Sequence, residues 1–455
     1  MTVYEPRPVP ALAPPRPPQP LSVVAGLLDS GLKVLAVRRG GAPLVNLRLL
    51  VPFAGHGEAH LAQADLLADS MLSGTDRRSN AELAAALQAL GAELHVRRGP
   101  DWLVVAGETL AGGLAGLLEL LAEVLTMASY PPTEVLGEQQ RGLENLRIAR
   151  SQPSRQAKEA LLARMFGSHP YGRDLPDPDQ LAAVTVEQVR SLHYERVLPA
   201  GSVLVVVGDV PLDSALDLAT KALAGWDAKG PISLAPPVPP VSPGPIVLVD
   251  RPGSVQSSIR IGGPALVRSH PGYAALQITN IVFGGYFSSR LIQNIRERRG
   301  YTYSPISVID HARAGAAVRL QADVATEVTA PALLEIGYEL GRIATLPVEA
   351  DELESARQYI IGSLALARAT QSGLADVVVQ LITSGLGVEW LHEQPRRLAA
   401  VTVEDVLEQA SRFFAPSRLV TVVLGDADRV EPSLRSLGEV QRRRLLGSPE
   451  NVCEN

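Results

Sequence analysis

The chain contains an internal repeat, because residues of its first half recur further along at a constant offset of 217 positions. The heptapeptide Leu-Ala-Ala-Val-Thr-Val-Glu occupies residues 181–187 and again residues 398–404. At the same offset, VLVVVGD at 203–209 is matched by VTVVLGD at 420–426. Identity in register, followed by a matching apolar strand, indicates that one folding unit has been duplicated. A chain of 455 residues is long enough for two such units, each with its own core.

Each half mixes predicted strands with predicted helices. Residues 79–90 form the clearest helix, since Ser79 and Glu82 fit a capping box and Gly91 follows the last apolar position. Apolar strands flank the Gly40-Gly41 pair within 32–51, and 245–263 has the same pattern, so each half is predicted to begin with a β-hairpin. We therefore expect an α+β fold of two homologous α/β sandwich domains, each a mixed sheet covered by helices, arranged as a clamshell.

Proline-rich segments suggest where these domains begin and end. Prolines crowd the first twenty residues and the segment 230–245, and such runs favour extended, poorly packing chain. The end of the chain is polar and carries an Arg-Arg-Arg cluster at 442–444. We predict a disordered Pro-rich arm at 1–20, an N-terminal domain at 21–229, a flexible Pro-rich linker at 230–245, a C-terminal domain at 246–430 and a tail at 431–455.

Composition excludes several classes of partner. The net charge is -6 and aromatic residues make up 4% of the chain, so neither a basic surface nor a set of stacking platforms favours nucleic acid. Cys453 is the only cysteine, which allows no internal disulfide and fits a reducing compartment. The N-terminus lacks the apolar core of a signal peptide, and no stretch of the sequence has the length and apolar character of a membrane span. These features predict a cytoplasmic protein with no membrane partner.

The histidines do not form a familiar metal motif. His56 and His60 are the pair close enough in sequence to share a local metal, in the stretch His-Gly-Glu-Ala-His. This stretch is neither His-Glu-x-x-His nor His-x-x-Glu-His, and it follows a predicted strand beside glycines. An ordinary solvated loop is the favoured interpretation. Phosphate-binding loops, nucleophile elbows and dinucleotide fingerprints are also absent from the sequence.

Two longer segments resemble the M16 metallopeptidases, the group that includes insulinase and the mitochondrial processing peptidase. They are DLLADSMLSGTDRRSNAELAAALQALGAEL at 65–94 and GGYFSSRLIQNIRERRGYTYS at 284–304. The duplicated halves, the His-Pro-Tyr-Gly at 169–172 and the strands that end in Gly-Asp extend the resemblance over nearly the whole chain. The resemblance implies the two-domain fold of that family.

The zinc motif of the family is degenerate here. The family carries His-x-x-Glu-His on one helix and a further glutamate ligand on a later helix, and the resemblance places Asp65, Ala68, Asp69 and Asn145 at these positions. Alanine cannot act as a general base, and zinc prefers imidazole to a set of hard oxygen ligands. A shift of one residue would replace Asn145 by Glu144 without restoring the base. The resemblance therefore implies no metal in this chain; a hard cation at Asp65 and Asp69 is the minor alternative to a solvated helix face.

A second pair of residues is retained. Arg296 and Tyr303 are seven positions apart, as in the subunit that lacks zinc in two-subunit members of the family. The resemblance implies that both are substrate-binding residues, which face the zinc of a partner across an enclosed chamber and donate hydrogen bonds to the substrate carbonyl. The alternative is structural, with Arg296 in a surface ion pair and Tyr303 packed beneath a strand. Arg290 is expected to be a structural anchor.

The resemblance implies an M16B-like non-catalytic subunit of a heterodimeric zinc metallopeptidase. Such a subunit would hold no cofactor, would be inactive alone, and would bind peptide together with a zinc-bearing M16B partner. A catalytically inert scaffold or peptide-binding protein of the same fold is the alternative function. A self-sufficient hydrolase that uses His56, Glu58 and His60 is a third and weaker hypothesis.

Overall fold

The computed structural model of the protein describes residues 20–444. Nearly all of the expected Pro-rich arm, and the last residues of the expected tail with Cys453, lie outside this range. Within it, strands and helices follow one another in two successive halves with a similar order of elements.

Among the described residues, the first half contains six strands and eight α-helices. The strands are β1 (Ser22–Leu27), β2 (Lys33–Arg38), β3 (Leu44–Pro52), β4 (Glu93–Arg98), β5 (Trp102–Leu110) and β6 (Val203–Gly208). The helices are α1 (Glu58–Ser70), α2 (Asn80–Ala89), α3 (Leu114–Met127), α4 (Pro132–Ser151), α5 (Pro153–Phe166), α6 (Pro178–Ala182), α7 (Val186–Arg196) and α8 (Leu212–Leu223).

The second half repeats this plan. Its strands are β7 (Ile246–Asp250), β8 (Gln256–Ala265), β9 (Ile306–Ala312), β10 (Gly315–Ala325), β11 (Val420–Gly425) and β12 (Val440–Arg444). Its helices are α9 (Tyr273–Asn280), α10 (Thr329–Thr345), α11 (Ala350–Ala367), α12 (Gln371–Thr383), α13 (Trp390–Ala400), α14 (Val403–Phe413) and α15 (Ala427–Leu434). Two π-helical turns, Ile281–Gly285 and Ile292–Arg298, lie between α9 and β9.

Each half forms one six-stranded mixed sheet. The strand orders are β1-β2-β6-β3-β5-β4 and β12-β7-β11-β8-β10-β9. Helices cover each sheet, which confirms the predicted α+β architecture of two mixed-sheet domains. The predicted hairpins are wrong, because β6 lies between β2 and β3, and β11 lies between β7 and β8. The inserted strands are the most apolar ones, and their burial on both faces favours a central position over the local pairing that Gly40-Gly41 suggests.

The repeat is visible in the elements themselves. Helix α7 and helix α14 have equal length and the same offset as the sequence repeat, and so do β6 and β11. Thr185 and Thr402 begin these two helices with capping boxes, in which the threonine oxygen accepts the backbone N–H three residues on.

The two halves exchange one helix each. Helix α5 of the first half packs Leu161 and Met165 against β7 and β11 of the second sheet. Helix α12 of the second half packs Leu374 and Val378 against one face of β2 and β6 in the first sheet, formed by Leu35, Val37, Val203, Val205 and Val207. These helices occupy equivalent places in the repeat, so each sheet has one face covered partly by a helix from the other half.

The segment 230–245 has no regular secondary structure but is anchored along its length. Ser233 accepts a hydrogen bond from Arg196 (2.6 Å), the Pro236 carbonyl is 3.0 Å from His169 Nε2, and the Ser242 carbonyl accepts from Arg164 (2.7 Å). Proline lacks an N–H, so the carbonyls of such a segment depend on donors elsewhere. The segment 230–245, which was expected to be a flexible linker, is thus held by side chains of the first half. We call this segment the strap.

The beginning of the expected tail also carries structure. Residues 440–444 form β12, which pairs in parallel with β7 at the edge of the second sheet. Within residues 20–444, no helix is both long and apolar enough to span a bilayer.

Candidate functional site

Helix α1 carries three of the four degenerate motif positions. It begins after Gly57, whose φ of 98° is unfavourable for other residues, and it packs Ala62, Leu66 and Leu67 into the core of the first half. The helix therefore includes His60, which the sequence pattern had indicated to lie in a loop. Ala68 is buried beside this core, whereas Asp65 and Asp69 lie one turn apart at its margin.

The two aspartates have different surroundings: Asp65 forms an ion pair, whereas Asp69 lies near other negative charges. Asp65 accepts a hydrogen bond from the Arg98 guanidinium at the end of β4. Burial raises the pKa of Asp65, and Arg98 partly opposes that rise. Partial loss of hydration, together with the negative charges of Asp65 and Glu138, raises the pKa of the Asp69 carboxyl to about 6. Asp65 is therefore already paired with the Arg98 guanidinium, whereas Asp69 has neighbouring negative charges and no ion pair among the described residues.

The fourth position does not complete a ligand set. Asn145 is exposed on α4, and its neighbour Glu144 pairs with Arg147 (2.6 Å). The charges of α4 that act on the pKa of Asp69 are those of Glu138, which raises it, and of Arg141, which lowers it. Within residues 20–444, no group of three or more histidine, cysteine, aspartate or glutamate residues could hold a metal ion. With alanine at the base position as well, the residues present do not fit the zinc site of the motif.

The histidine pair near α1 is not a metal site either. His60 Nε2 lies 3.3 Å from the Phe53 carbonyl, and its ring lies 5.9 Å from the Phe53 ring. Burial lowers the pKa of His60, whereas His56 is exposed in the loop before the helix. His60 thus contributes to packing beneath the end of β3.

A groove runs along the free edge of the first sheet, beside the degenerate motif. Strand β4 pairs with β5 alone among the described strands, so its other edge is open. A cavity of about 580 Å³ is lined by every residue of 93–97, together with Ala68 and Asp69 of α1 and with Asn46 and Glu108 of the sheet. Since residues of both faces of β4 line it, the cavity follows the strand edge. We call it the edge groove.

Three polar residues in the edge groove escaped the sequence analysis. Asn46, Glu108 and Glu93 lie on three different strands, and the sheet register sets them directly opposite one another. No spacing within the sequence reveals such a row, because it depends on the pairing of β3 with β5 and of β5 with β4. The alternation of Glu93, His95 and Arg97 along β4 was the available sign that one face of this strand is polar.

Arg296 and Tyr303 lie in the second half, on either side of a glycine turn. Gly300, with φ of 65°, donates its N–H to the Arg296 carbonyl and ends the second π-helical turn. The Arg296 guanidinium lies 5.0 Å from the centre of the Phe287 ring and 3.3 Å from Glu297. Tyr303 is 87% exposed, so it is not packed beneath a strand. The contacts of Arg296 with Phe287 and Glu297 involve none of Asp65, Ala68 and Asp69.

Arg290 has the anchoring contacts that were expected of it. It is buried and forms two hydrogen bonds of 2.7 and 2.6 Å with the carboxylate of Glu352 in the first turn of α11. This bidentate pair ties the segment that carries Phe287 to the helical layer.

Comparison with known proteins supports one family. The family model described as "Insulinase (Peptidase family M16)" matches residues 57–179, and the one described as "Peptidase M16 inactive domain" matches residues 183–360. A protein of Mycobacterium tuberculosis named an uncharacterized zinc protease is 27% identical over 396 residues, which cover 84% of this chain and 87% of that protein. A protein of the same description from Mycobacterium leprae is 28% identical over 251 residues, which cover 54% of this chain and 56% of that protein.

Solved structures share the fold over most of the chain. A protease from Helicobacter pylori superposes with a TM-score of 0.83 and 18% identity, over 89% of this chain and 99% of that chain. A peptidase M16 inactive domain from Pseudomonas fluorescens gives a TM-score of 0.80 and 21% identity, over 89% of this chain and 98% of that chain. These likenesses concern the fold, and the two family models together span most of both halves. The chain belongs to peptidase family M16.

Proposed function

We propose that this protein is a catalytically inert, peptide-binding subunit of the M16 fold that works with a separate zinc-bearing M16B subunit in the cytoplasm. The observation that carries the proposal is the edge groove, which lies beside Ala68. The open strand edge and cavity that a peptide needs are present, whereas the base that would activate water is not.

The edge groove suits an extended peptide. An edge strand presents unpaired N–H and C=O groups, and a peptide can add to it as a further strand through main-chain hydrogen bonds. Strand β4 has such an edge, and the cavity extends along five of its residues. A peptide bound there would direct alternate side chains toward Asp69 on α1 and toward Glu108 on the face of the sheet.

The residues beside the groove argue against hydrolysis by this chain alone. Relatives carry the name zinc protease, but in this protein Ala68 stands at the base position and Asp65 is paired with Arg98. An alanine at that position has no proton acceptor and cannot activate a water molecule. We therefore assign peptide binding to this chain and assign the zinc and the bond cleavage to the partner.

Arg296 and Tyr303 are proposed to act on the peptide once the partner is present. The Tyr303 phenol is exposed, and the Arg296 guanidinium rests on Phe287 with part of its surface open. Both side chains can donate to a carbonyl oxygen, and a planar guanidinium presents two parallel N–H groups for this purpose. In the proposal they hold the peptide carbonyl that faces the partner.

The test measures binding and cleavage separately. The full chain is titrated into a fluorescent peptide of about ten residues, alongside the same peptide N-methylated at alternate positions on one edge. Strand addition predicts saturable binding that the N-methyl groups abolish, because they remove the donors that pair with β4. Cleavage is expected after mixing with an M16 protein that carries His-x-x-Glu-His and to be undetectable for either protein alone. Equal affinity for the plain and the N-methylated peptide, or cleavage by this chain alone, would refute the proposal.

A further inference from the structure

The strap contains a short repeat with a period of three residues. Residues 235–243 read Ala-Pro-Pro-Val-Pro-Pro-Val-Ser-Pro, so an alanine or a valine begins each triplet and a proline ends it. A polyproline II helix has three residues per turn and needs no internal hydrogen bonds. In such a helix the first residues of all triplets lie along one ridge. The sequence of the strap therefore fits an extended helix that buries one ridge and exposes prolines on the others.

The contacts of the strap follow this period. Val238 packs against Gly315 at the start of β10, so closely that a Cβ atom at Gly315 would lie 2.8 Å from Val238 Cγ2. Val241 is partly buried against the apolar cluster that α5, β7 and β11 form. The last residue of every triplet is exposed, and these residues are Pro237, Pro240 and Pro243. The valines thus hold the strap against the protein, while prolines remain accessible.

The accessible prolines border a cavity at the surface. It has a volume of about 560 Å³, and it is lined on one side by Pro236, Pro237, Pro239 and Pro240 and on another by Phe166 at the end of α5. We call these four prolines the Pro-Pro face. A polyproline II segment that is already ordered loses little entropy on binding, and proteins that recognise such segments do so with grooves lined by aromatic side chains.

The charge beside the Pro-Pro face is positive. Arg164 and His56 line the same cavity, and no described aspartate or glutamate does. Arg164 is half-buried and donates to the Ser242 carbonyl (2.7 Å), but it forms no ion pair among residues 20–444. Arg418 borders Pro243 in a second cavity, and its guanidinium has no hydrogen bond or ion pair with any described residue. In a chain of net charge -6, this surface favours a partner that carries carboxylates.

We propose that the Pro-Pro face is a docking surface for a partner protein whose groove is lined by aromatic side chains and bordered by carboxylates. The aromatic side chains pack against the prolines, and the carboxylates pair with Arg164 and Arg418. The proposal is independent of peptide binding in the edge groove, because no residue of the strap lines that groove. In this proposal the strap is a binding element as well as a connection between the two halves.

The test uses the full chain and a purified SH3 domain as the probe, because SH3 grooves bind polyproline II segments between aromatic side chains. The probe has carboxylates beside its groove, and a second version of it has these carboxylates changed to amides. We expect saturable binding to the full chain that is about tenfold weaker for the amide version at low salt. A free peptide of residues 230–245 should bind no more tightly than the full chain, since Val238 and Val241 already order the strap.

Replacing both Pro237 and Pro240 by alanine should weaken SH3 binding about tenfold, because the exposed rings are lost and the polyproline II conformation is less favoured. The matched control is Pro231→Ala, which changes an exposed proline of the strap outside the triplets. Arg418→Gln should lower the affinity about threefold and reduce its dependence on salt. The melting temperature of each variant checks that it remains folded.

Several outcomes would overturn the docking surface. Binding that survives the loss of both prolines, or that is equal for the two versions of the probe, would contradict the proposed chemistry. Binding of the free peptide without binding of the full chain would show that the folded strap hides its prolines. A polyglutamate peptide that binds as tightly as the SH3 domain would show that the surface takes acidic chains in general and needs no aromatic groove. Absence of binding to both the chain and the peptide would refute the proposal outright.

Discussion

The Tyr171 hydroxyl donates a 2.7 Å hydrogen bond to Asp101 Oδ1, and this pair joins the two halves of the chain. Asp101 Oδ2 accepts the backbone N–H of Arg313, and the Tyr171 oxygen accepts that of Ala314, both in the turn between β9 and β10. His169, two residues before Tyr171, meets the strap at Pro236. The His-Pro-Tyr-Gly segment thus links the edge of the first sheet, the second sheet and the strap.

Replacing Tyr171 by phenylalanine should destabilise the whole protein. The change leaves the buried Asp101 carboxylate and the Ala314 N–H each short of a partner, which costs about 1–3 kcal/mol. Chemical denaturation measures the free energy of unfolding, and Tyr194→Phe, at a tyrosine that is 81% exposed, is the matched control. Equal stability of the two variants would show that the Tyr171 hydroxyl contributes nothing.

The exchange of α5 and α12 predicts that neither half is stable alone. A fragment of residues 21–229 lacks α12, so the apolar side chains of β2 and β6 that face this helix lose their cover, at about 1.5–3 kcal/mol for each one fully exposed. A fragment that begins at residue 246 lacks α5 in the same way. Co-expressed fragments should associate and melt cooperatively, as circular dichroism and size-exclusion chromatography can show. A cooperative transition at the wild-type temperature in either fragment alone would contradict this expectation.

Local patterns predicted the helices better than the sheets. The capping box at Ser79 and Glu82 lies where the sequence indicates, because such a box depends on four neighbouring residues. The order of strands depends on contacts across some 160 residues, and the turn at Gly40-Gly41 cannot reveal that β6 inserts beside it. The row of Asn46, Glu108 and Glu93 was missed for the same reason, since it exists only in the cross-strand register. The assignment of the base position to Ala68 rests on the resemblance and stays a prediction.

The purified chain is expected to contain no stoichiometric zinc. Ala68 can act neither as a metal ligand nor as a base, and the Asp65 carboxylate already pairs with the Arg98 guanidinium. Elemental analysis after dialysis measures the metal content. A fourfold variant with histidine at 65 and 69 and glutamate at 68 and 145 should bind zinc weakly, since Arg98 remains beside position 65 and no supporting residues orient the new ligands. One zinc per wild-type chain would overturn the assignment of an inert site.

The pH dependence of stability should reveal Asp69. Its pKa is raised to about 6 in the folded chain, so the folded state retains a proton that the unfolded state loses between about pH 4 and 6. The contribution of Asp69 is therefore favourable at low pH and is lost as the pH rises through this window. Asp69→Asn should raise stability at pH 7 by about 1 kcal/mol or less, because the side chain is exposed, and should have no benefit near pH 4. Melting temperatures of both proteins from pH 4 to 7.5 measure the difference.

Tyr303→Phe should affect turnover without affecting the fold. The side chain is 87% exposed, so removal of its hydroxyl leaves no buried group unpaired, and the melting temperature should not change. If the phenol donates to the developing oxyanion when the zinc-bearing partner is present, kcat of the mixture should fall about 10² to 10³-fold. Arg296→Lys keeps the charge but loses the planar contact with Phe287, and it should lower kcat as well. Steady-state cleavage is measured at saturating partner, together with the affinity of the two subunits. A loss of activity that only follows weaker association would assign both residues to the interface between subunits, and unchanged kcat in both variants would exclude them from the reaction.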